Sequence, residues 1–249
     1  MVQASKTVDT TLDIPSALAK LAQEQPQEIL NYALATFDNL AIAFSGAEDV
    51  VLIDMAVKIR PEVKVFCLDT GRLHRETYRF IEQVRKRYNL NVELLFPDAT
   101  QVEMLVREKG LFSFYKDGHK ECCGIRKVRP LRRKLATLNA WITGQRQDQS
   151  QTRTDLPVIQ VDAAFSSDDR TLVKFNPLSN WTSDQVWQYI QAHDVPFNPL
   201  HSQGFASIGC APCTRSILPH QHERQGRWWW ENPDDKECGL HATNMKTQQ

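Results

Sequence analysis

From Leu40 onward, short apolar runs alternate with stretches of helical periodicity, and this alternation restricts the fold more than any other feature of the chain. Leu40–Phe44 reads as a strand that passes through Ser45-Gly46 into a helical pattern over 48–59. A second strand over 63–68 ends in Asp69-Thr70-Gly71 and leads to a helix over 73–88. A third strand over 91–96 precedes a helix over 101–109, and a basic helical stretch leads into 141–143, the end of a fourth strand. Strands joined by helices need crossover connections, so the expectation is an α/β fold with an open, mostly parallel sheet and helices on both faces. Residues 158–161 and 172–175 add a fifth strand and an edge piece. Thr182 followed by Gln185 forms a capping box for a helix over 181–193.

Residues 14–37 carry apolar side chains at helical spacing, split near Pro26. Beyond Pro196 the pattern becomes irregular. The expected organisation is one globular unit. It has N-terminal helices over 1–37, an α/β core over 38–200, and an irregular, cysteine-containing segment over 201–249 laid across the core.

Lys+Arg and Asp+Glu both number 30, so there is no global basic field of the kind that holds nucleic acid. Any anion must be bound by local clusters. Residues 1–13 lack the apolar core of a signal peptide, and no apolar run is long enough to span a membrane. The expectation is a cytoplasmic chain, where cysteines serve as thiols, metal ligands or catalytic groups.

In an open parallel sheet, ligands bind beyond the carboxyl ends of the strands. Three polar turns fall there: Ser45-Gly46-Ala47-Glu48-Asp49, Leu68-Asp69-Thr70-Gly71-Arg72, and Thr143-Gly144-Gln145-Arg146. The first points backbone N–H groups and a helix dipole at an anion. Glu48 and Asp49 suit that dipole but repel a polyphosphate, so a single phosphate or a nucleoside hydroxyl fits better than ATP. The polar run from Gly144 to Arg153 carries Arg146 and Arg153, which bind oxyanions bidentately. A solvated loop would read the same way.

Cys67 sits in an apolar strand as a small core residue. Cys122-Cys123 and Cys210-Ala211-Pro212-Cys213 form two pairs that suit a four-ligand metal centre. Zinc is plausible on ligand type. Adjacent thiolates are better accommodated by a cubane cluster, which offers each its own iron. Between His119 and Lys134 seven Lys/Arg stand against one acid, and these cations would stabilise an anionic cluster. A thioredoxin-type pair at Cys210 and Cys213 would leave Cys122 and Cys123 unexplained. Cys238 stands alone in Lys236-Glu237-Cys238-Gly239-Leu240-His241. Nearby cations raise the thiolate fraction, so it is either an incidental terminal thiol or a nucleophile. Trp228-Trp229-Trp230 could stack a base, but packing is the better role for at least two of them.

Together these residues resemble the assimilatory sulfonucleotide reductases, specifically the cluster-containing adenylyl-sulfate (APS) reductases. The motifs that carry the likeness are Lys120-Glu-Cys-Cys-Gly-Ile-Arg-Lys127, Cys210-Ala-Pro-Cys213 and Glu237-Cys-Gly-Leu-His241, with the three strand-end turns in support. The resemblance implies a fold like the adenine-nucleotide alpha hydrolases. It also implies that Cys238 attacks the sulfur of APS, that AMP leaves, and that reduced thioredoxin releases sulfite from the S-sulfocysteine. By the same resemblance Lys127, Arg224, Arg227 and His241 surround the phosphosulfate. Ser45, Gly46, Ala47, Glu48, Asp49, Leu68, Asp69, Thr70, Gly71 and Gly144 hold the nucleotide, and Arg146 and Arg153 close over it. Cys122, Cys123, Cys210 and Cys213 ligate a [4Fe–4S] cluster. Gln147 departs from the pattern, standing where relatives often have a second basic residue. Rival readings are a PAPS reductase, an ATP-using RNA thiolase and a zinc-stabilised binding module. The RNA thiolase would want a Lys that the first turn lacks. The oligomeric state, including a homo-oligomer, is left open.

Overall fold

A computed structural model describes residues 12–149 and 155–232. Its centre is a six-stranded sheet in the order β3-β2-β1-β4-β6-β5. The strands are β1 (Leu40–Phe44), β2 (Lys64–Leu68), β3 (Val92–Leu95), β4 (Ala140–Ile142), β5 (Ile159–Val161) and β6 (Val173–Phe175). All neighbours are parallel except β5 and β6.

Alternation along the strands builds two cores, one on each face. Ile42, Phe44, Val65, Cys67, Ile142 and Phe175 join one, while Ala41, Phe66 and Trp141 join the other. The first core receives α1 (Ile14–Leu21), α2 (Pro26–Thr36), α3 (Ala47–Ile59), α4 (Arg75–Arg87) and α8 (Ser183–Ala192). Helix α3 is buried nearly all round because it packs against β1, α2 and α8. After β3 comes α5 (Ala99–Lys109), and the second core takes Leu131 and Leu135 of α7 (Arg129–Leu135). Cys67 is a core residue as expected, and burial pushes its thiol up to about 12.

The capping box at Thr182 is present, with Gln185 N–H on Thr182 Oγ1 and Thr182 N–H on Gln185 Oε1. The last two strands differ from expectation. Residues 173–175 are interior and fully buried, and the antiparallel edge is β5. The chain leaves β4 for the outer edge and returns, and only the returning strand runs parallel to β4. The basic stretch is one winding: α6 (Lys120–Cys123), a π-turn over Gly124–Val128, then α7. Arg129 N–H reaches back five residues to Gly124 C=O, just before Pro130, which has no N–H to give. Residues 196–232 are irregular, as read. Among the described residues no helix is long and apolar enough to cross a membrane.

Candidate active site and four-cysteine cavity

The chain runs β1, β2, β3 to one side and then returns to lay β4 on the other side of β1. The strand-end turns therefore diverge beside β1, and a cleft of about 210 Å³ opens there. Ser45, Gly46, Ala47, Glu48, Asp49, Leu68, Thr70 and Gly144 line it, joined by Lys127, Arg224 and Arg227.

Asp49 holds two of the turns together. Its Oδ2 accepts from Ser45 N–H at 2.8 Å, Ser45 Oγ–H at 2.8 Å and Gly46 N–H at 2.9 Å, while Oδ1 accepts from Gly144 N–H at 2.9 Å. The donors expected to meet a ligand anion are thus taken by a carboxylate of the chain itself. Gly144 is needed for the approach, since a Cβ there would stand 2.7 Å from Asp49 Oδ1.

Burial pushes the Asp49 carboxyl up from 3.8 to about 6, in spite of its donors. The folded pKa exceeds the unfolded one, so the stability this group adds is complete below 3.8 and is lost as pH rises through about 6. The stability advantage of wild type over Asp49→Asn is therefore expected to grow by about 1–1.5 kcal/mol from pH 7 to pH 5. Urea unfolding of both proteins at each pH checks this, and an advantage that shrinks on acidification contradicts it.

Other expected ligand groups are occupied elsewhere. Asp69 Oδ1 accepts from Gly71 N–H at 2.7 Å and Tyr78 O–H at 2.9 Å, closing the turn in which Gly71 takes φ 70°. Arg146 is 1% exposed and donates to Glu48, Asp148 and Glu223, which ties the β4 turn to the C-terminal segment. Asp69, Gly71 and Arg146 do not line the cleft. Gln147 braces the fold through Leu156 C=O and Ser179. Arg153, Cys238 and His241 lie outside the described residues.

Three cations gather on one indole. Lys127 Nζ, Arg224 Cζ and Arg227 Cζ stand 6.0, 5.9 and 4.6 Å from the Trp228 ring centroid. Arg227 passes over Gly209, where any side chain would overlap its guanidinium. Trp228 is fully buried, and its ring stacks on His119 at 4.1 Å. His119 is also bound through N–H and Nδ1 to Glu231, at 2.8 and 2.5 Å. Trp228 and Trp230 are packing residues, as expected.

Beside the cleft lies a small cavity lined by all four paired cysteines with Arg72, Phe114, His119, Arg126, Lys127 and Trp228. Among the described residues only Lys127 lines both spaces. The cavity is short of acceptors: Arg72 Nη1, Arg126 Nε and Trp228 Nε1 are buried without hydrogen-bond partners. Buried cationic donors in this state call for an anion rich in acceptors. Burial pushes Cys213 up to about 12 and raises Cys122. Burial also acts upward on Cys210, but Lys127, the Thr70 hydroxyl, Arg227 and Arg126 outweigh it and leave that thiol below its ordinary value. Among the described residues no three His, Cys, Asp or Glu side chains close on a single ion.

The basic stretch divides its cations. Arg126 and Lys127 line the cavity, but Lys134 pairs with Glu93, Arg129 with Gln101 and Arg133 with Phe96 C=O, bracing α7 instead. Arg72 and Gln145 were read only as members of the second and third strand-end turns, and His119 and His201 were not singled out.

A phosphoadenosine phosphosulfate reductase domain matches residues 39–216. The adenosine 5'-phosphosulfate reductase of Pseudomonas aeruginosa is 59% identical over 235 residues, covering 94% of this chain and 88% of that protein. The chain belongs to the sulfonucleotide reductase family. This sulfonucleotide reductase is thus an oxidoreductase. It is 55% identical to the chloroplastic 5'-adenylylsulfate reductase 3 of Arabidopsis thaliana, of which it spans 52%, with 94% of this chain covered. The crystal structure of a PAPS reductase from Candida auris superposes with a TM-score of 0.68 at 28% identity, covering 84% of this chain and 98% of that one. The FMN adenylyltransferase of Candida glabrata shares the fold alone, with a TM-score of 0.54 at 14% identity, covering 94% of this chain and 79% of that one. The fold is of the adenine-nucleotide alpha hydrolase type, as the sequence implied.

Proposed function

We propose that this reductase converts APS to sulfite and AMP with thioredoxin as reductant, through an S-sulfocysteine on Cys238. The observation that carries the reading is the group of Lys127, Arg224 and Arg227 on Trp228 at the nucleotide cleft. A thiolate approaching a sulfate is repelled by its charge, and three fixed cations remove that barrier and stabilise the departing phosphate oxygen. The attack forms a Cys238 S–S bond and breaks the S–O bond to AMP. A thioredoxin thiolate then attacks the Cys238 sulfur and expels sulfite. The second thioredoxin thiol resolves the mixed disulfide, so the dithiol supplies both electrons and Cys238 returns as a thiol. The high identity to proteins named for APS favours APS over PAPS. Cytoplasmic sulfate assimilation is the setting such a reaction implies.

The side chains lining the cysteine cavity suit a [4Fe–4S] cluster, which Cys122, Cys123, Cys210 and Cys213 would hold. The unpaired donors of Arg72, Arg126 and Trp228 and the four thiols supply what a dianionic cluster needs. When bound, it supplies a fixed negative charge that orders these cations and joins residues 120–128 to 210–213. Lys127, which lines both spaces, would meet the substrate from the cleft and the cluster's charge from the cavity.

With reduced thioredoxin, wild type is expected to release sulfite from APS with a preference of at least about a hundredfold over PAPS. Anaerobically purified protein should be brown and contain iron and acid-labile sulfide in equal amounts. Absence of sulfite from APS rejects the reaction, and full activity in colourless, iron-free protein rejects the cluster.

A further inference from the structure

Gln145 is 4% exposed, lines the cleft, and has neither its amide nitrogen nor its amide oxygen hydrogen-bonded to the protein. A buried amide left this way is costly, and sites that bear such a cost are commonly completed by a ligand. The amide presents one donor and one acceptor side by side, with no charge. It is therefore mismatched to sulfate or phosphate, which accept only and which the Lys127, Arg224 and Arg227 group already suits. It is matched to the edge of adenine, where an exocyclic N–H donor lies beside a ring-nitrogen acceptor.

A second side chain on the same cleft agrees. His201 Nε2 is buried without a partner, and burial holds its imidazole below the ordinary value, so it is a neutral group as well. The cleft thus has neutral, unsatisfied groups distinct from its cations.

We propose that Gln145 reads the adenine edge of the nucleotide: its carbonyl accepts from the exocyclic amine and its amide N–H donates to the adjacent ring nitrogen. This rests on the cleft being the nucleotide site. Gln145 then sets base specificity, while the reacting end is held by other residues.

The test is calorimetric binding of AMP and of purine riboside 5'-monophosphate, which lacks the exocyclic amine, to the cluster-loaded enzyme. Wild type should bind AMP about tenfold more tightly. Gln145→Leu should weaken AMP about ten- to hundredfold and bind the two nucleotides equally. Its melting temperature without nucleotide should equal or exceed that of wild type, because an unsatisfied buried amide has been removed. A packing role would lower it. Gln145→Glu, of nearly the same shape, should keep the preference for the amine yet bind AMP at least about tenfold more weakly, and it carries the test if the leucine variant does not fold. An unchanged ratio of the two nucleotides in Gln145→Leu overturns the proposal. So does a coupling seen with 3'-deoxy-AMP in place of the base analogue. If wild type binds no AMP, the nucleotide reading fails and this inference fails with it.

Discussion

Cys238→Ser is expected to lose sulfite release by at least about a thousandfold, down to background, while its iron content stays at the wild-type level. The reaction needs a nucleophile that is anionic near neutral pH and whose bond to sulfur can be broken again by a thiol. A cysteine at pKa about 8.5 supplies a usable thiolate fraction, and cations raise it. A serine hydroxyl supplies none, and an O–SO3 ester would give a thiol no S–S bond to open. Without thioredoxin, sulfur-labelled APS should leave its label on wild type and none on the variant. Turnover in the serine variant within about tenfold of wild type would remove Cys238 from the reaction.

Lys127→Met is expected to lower kcat/KM for APS by about a hundred- to a thousandfold, with Lys127→Arg recovering part of the loss. Lys127 is 8% exposed and lines both the cleft and the cysteine cavity. Its charge there acts in low dielectric, where one fixed cation is worth far more than at a surface. Methionine keeps the apolar stem and deletes the charge, so packing in the π-turn is preserved. Iron content separates the two duties: a variant that loses activity with its colour intact has lost a substrate contact. A change of less than about threefold in kcat/KM would show that Arg224 and Arg227 suffice.

Features that depend on local residue type and spacing were legible in the sequence. The strand-end turns, the Thr182 capping box and the two cysteine pairs are of that kind. Partnership across the chain was not legible. Asp49 belongs to the first turn, and nothing local shows that its Oδ1 is spent on Gly144, 95 residues away. Arg146 has the right charge for an oxyanion, yet Glu48 and Glu223 hold it, at separations of 98 and 77 residues. The cations near Cys122 formed one block in sequence, yet Arg126 and Lys127 line the cavity while Arg129, Arg133 and Lys134 are bound elsewhere, because a helix distributes consecutive residues around its axis. The interior place of β6 was hidden too, since strand order depends on where the chain returns. Gln145 was one polar residue of a turn among others, because an amide shows its importance only when its neighbours fail to satisfy it.

The π-turn at Gly124–Val128 acts as a phase shifter. A regular helix repeats its facing every 3.6 residues, so residues on one winding keep a fixed angular relation. One residue in excess breaks that relation once and restores it afterwards. It lets Cys122 and Cys123 aim at the cavity, Lys127 reach cavity and cleft together, and Leu131 and Leu135 still lie on the sheet. Removing a single residue from this turn would rotate everything after it by about 100°. Three functions that now share one helix would then be out of step, with no side chain chemically altered.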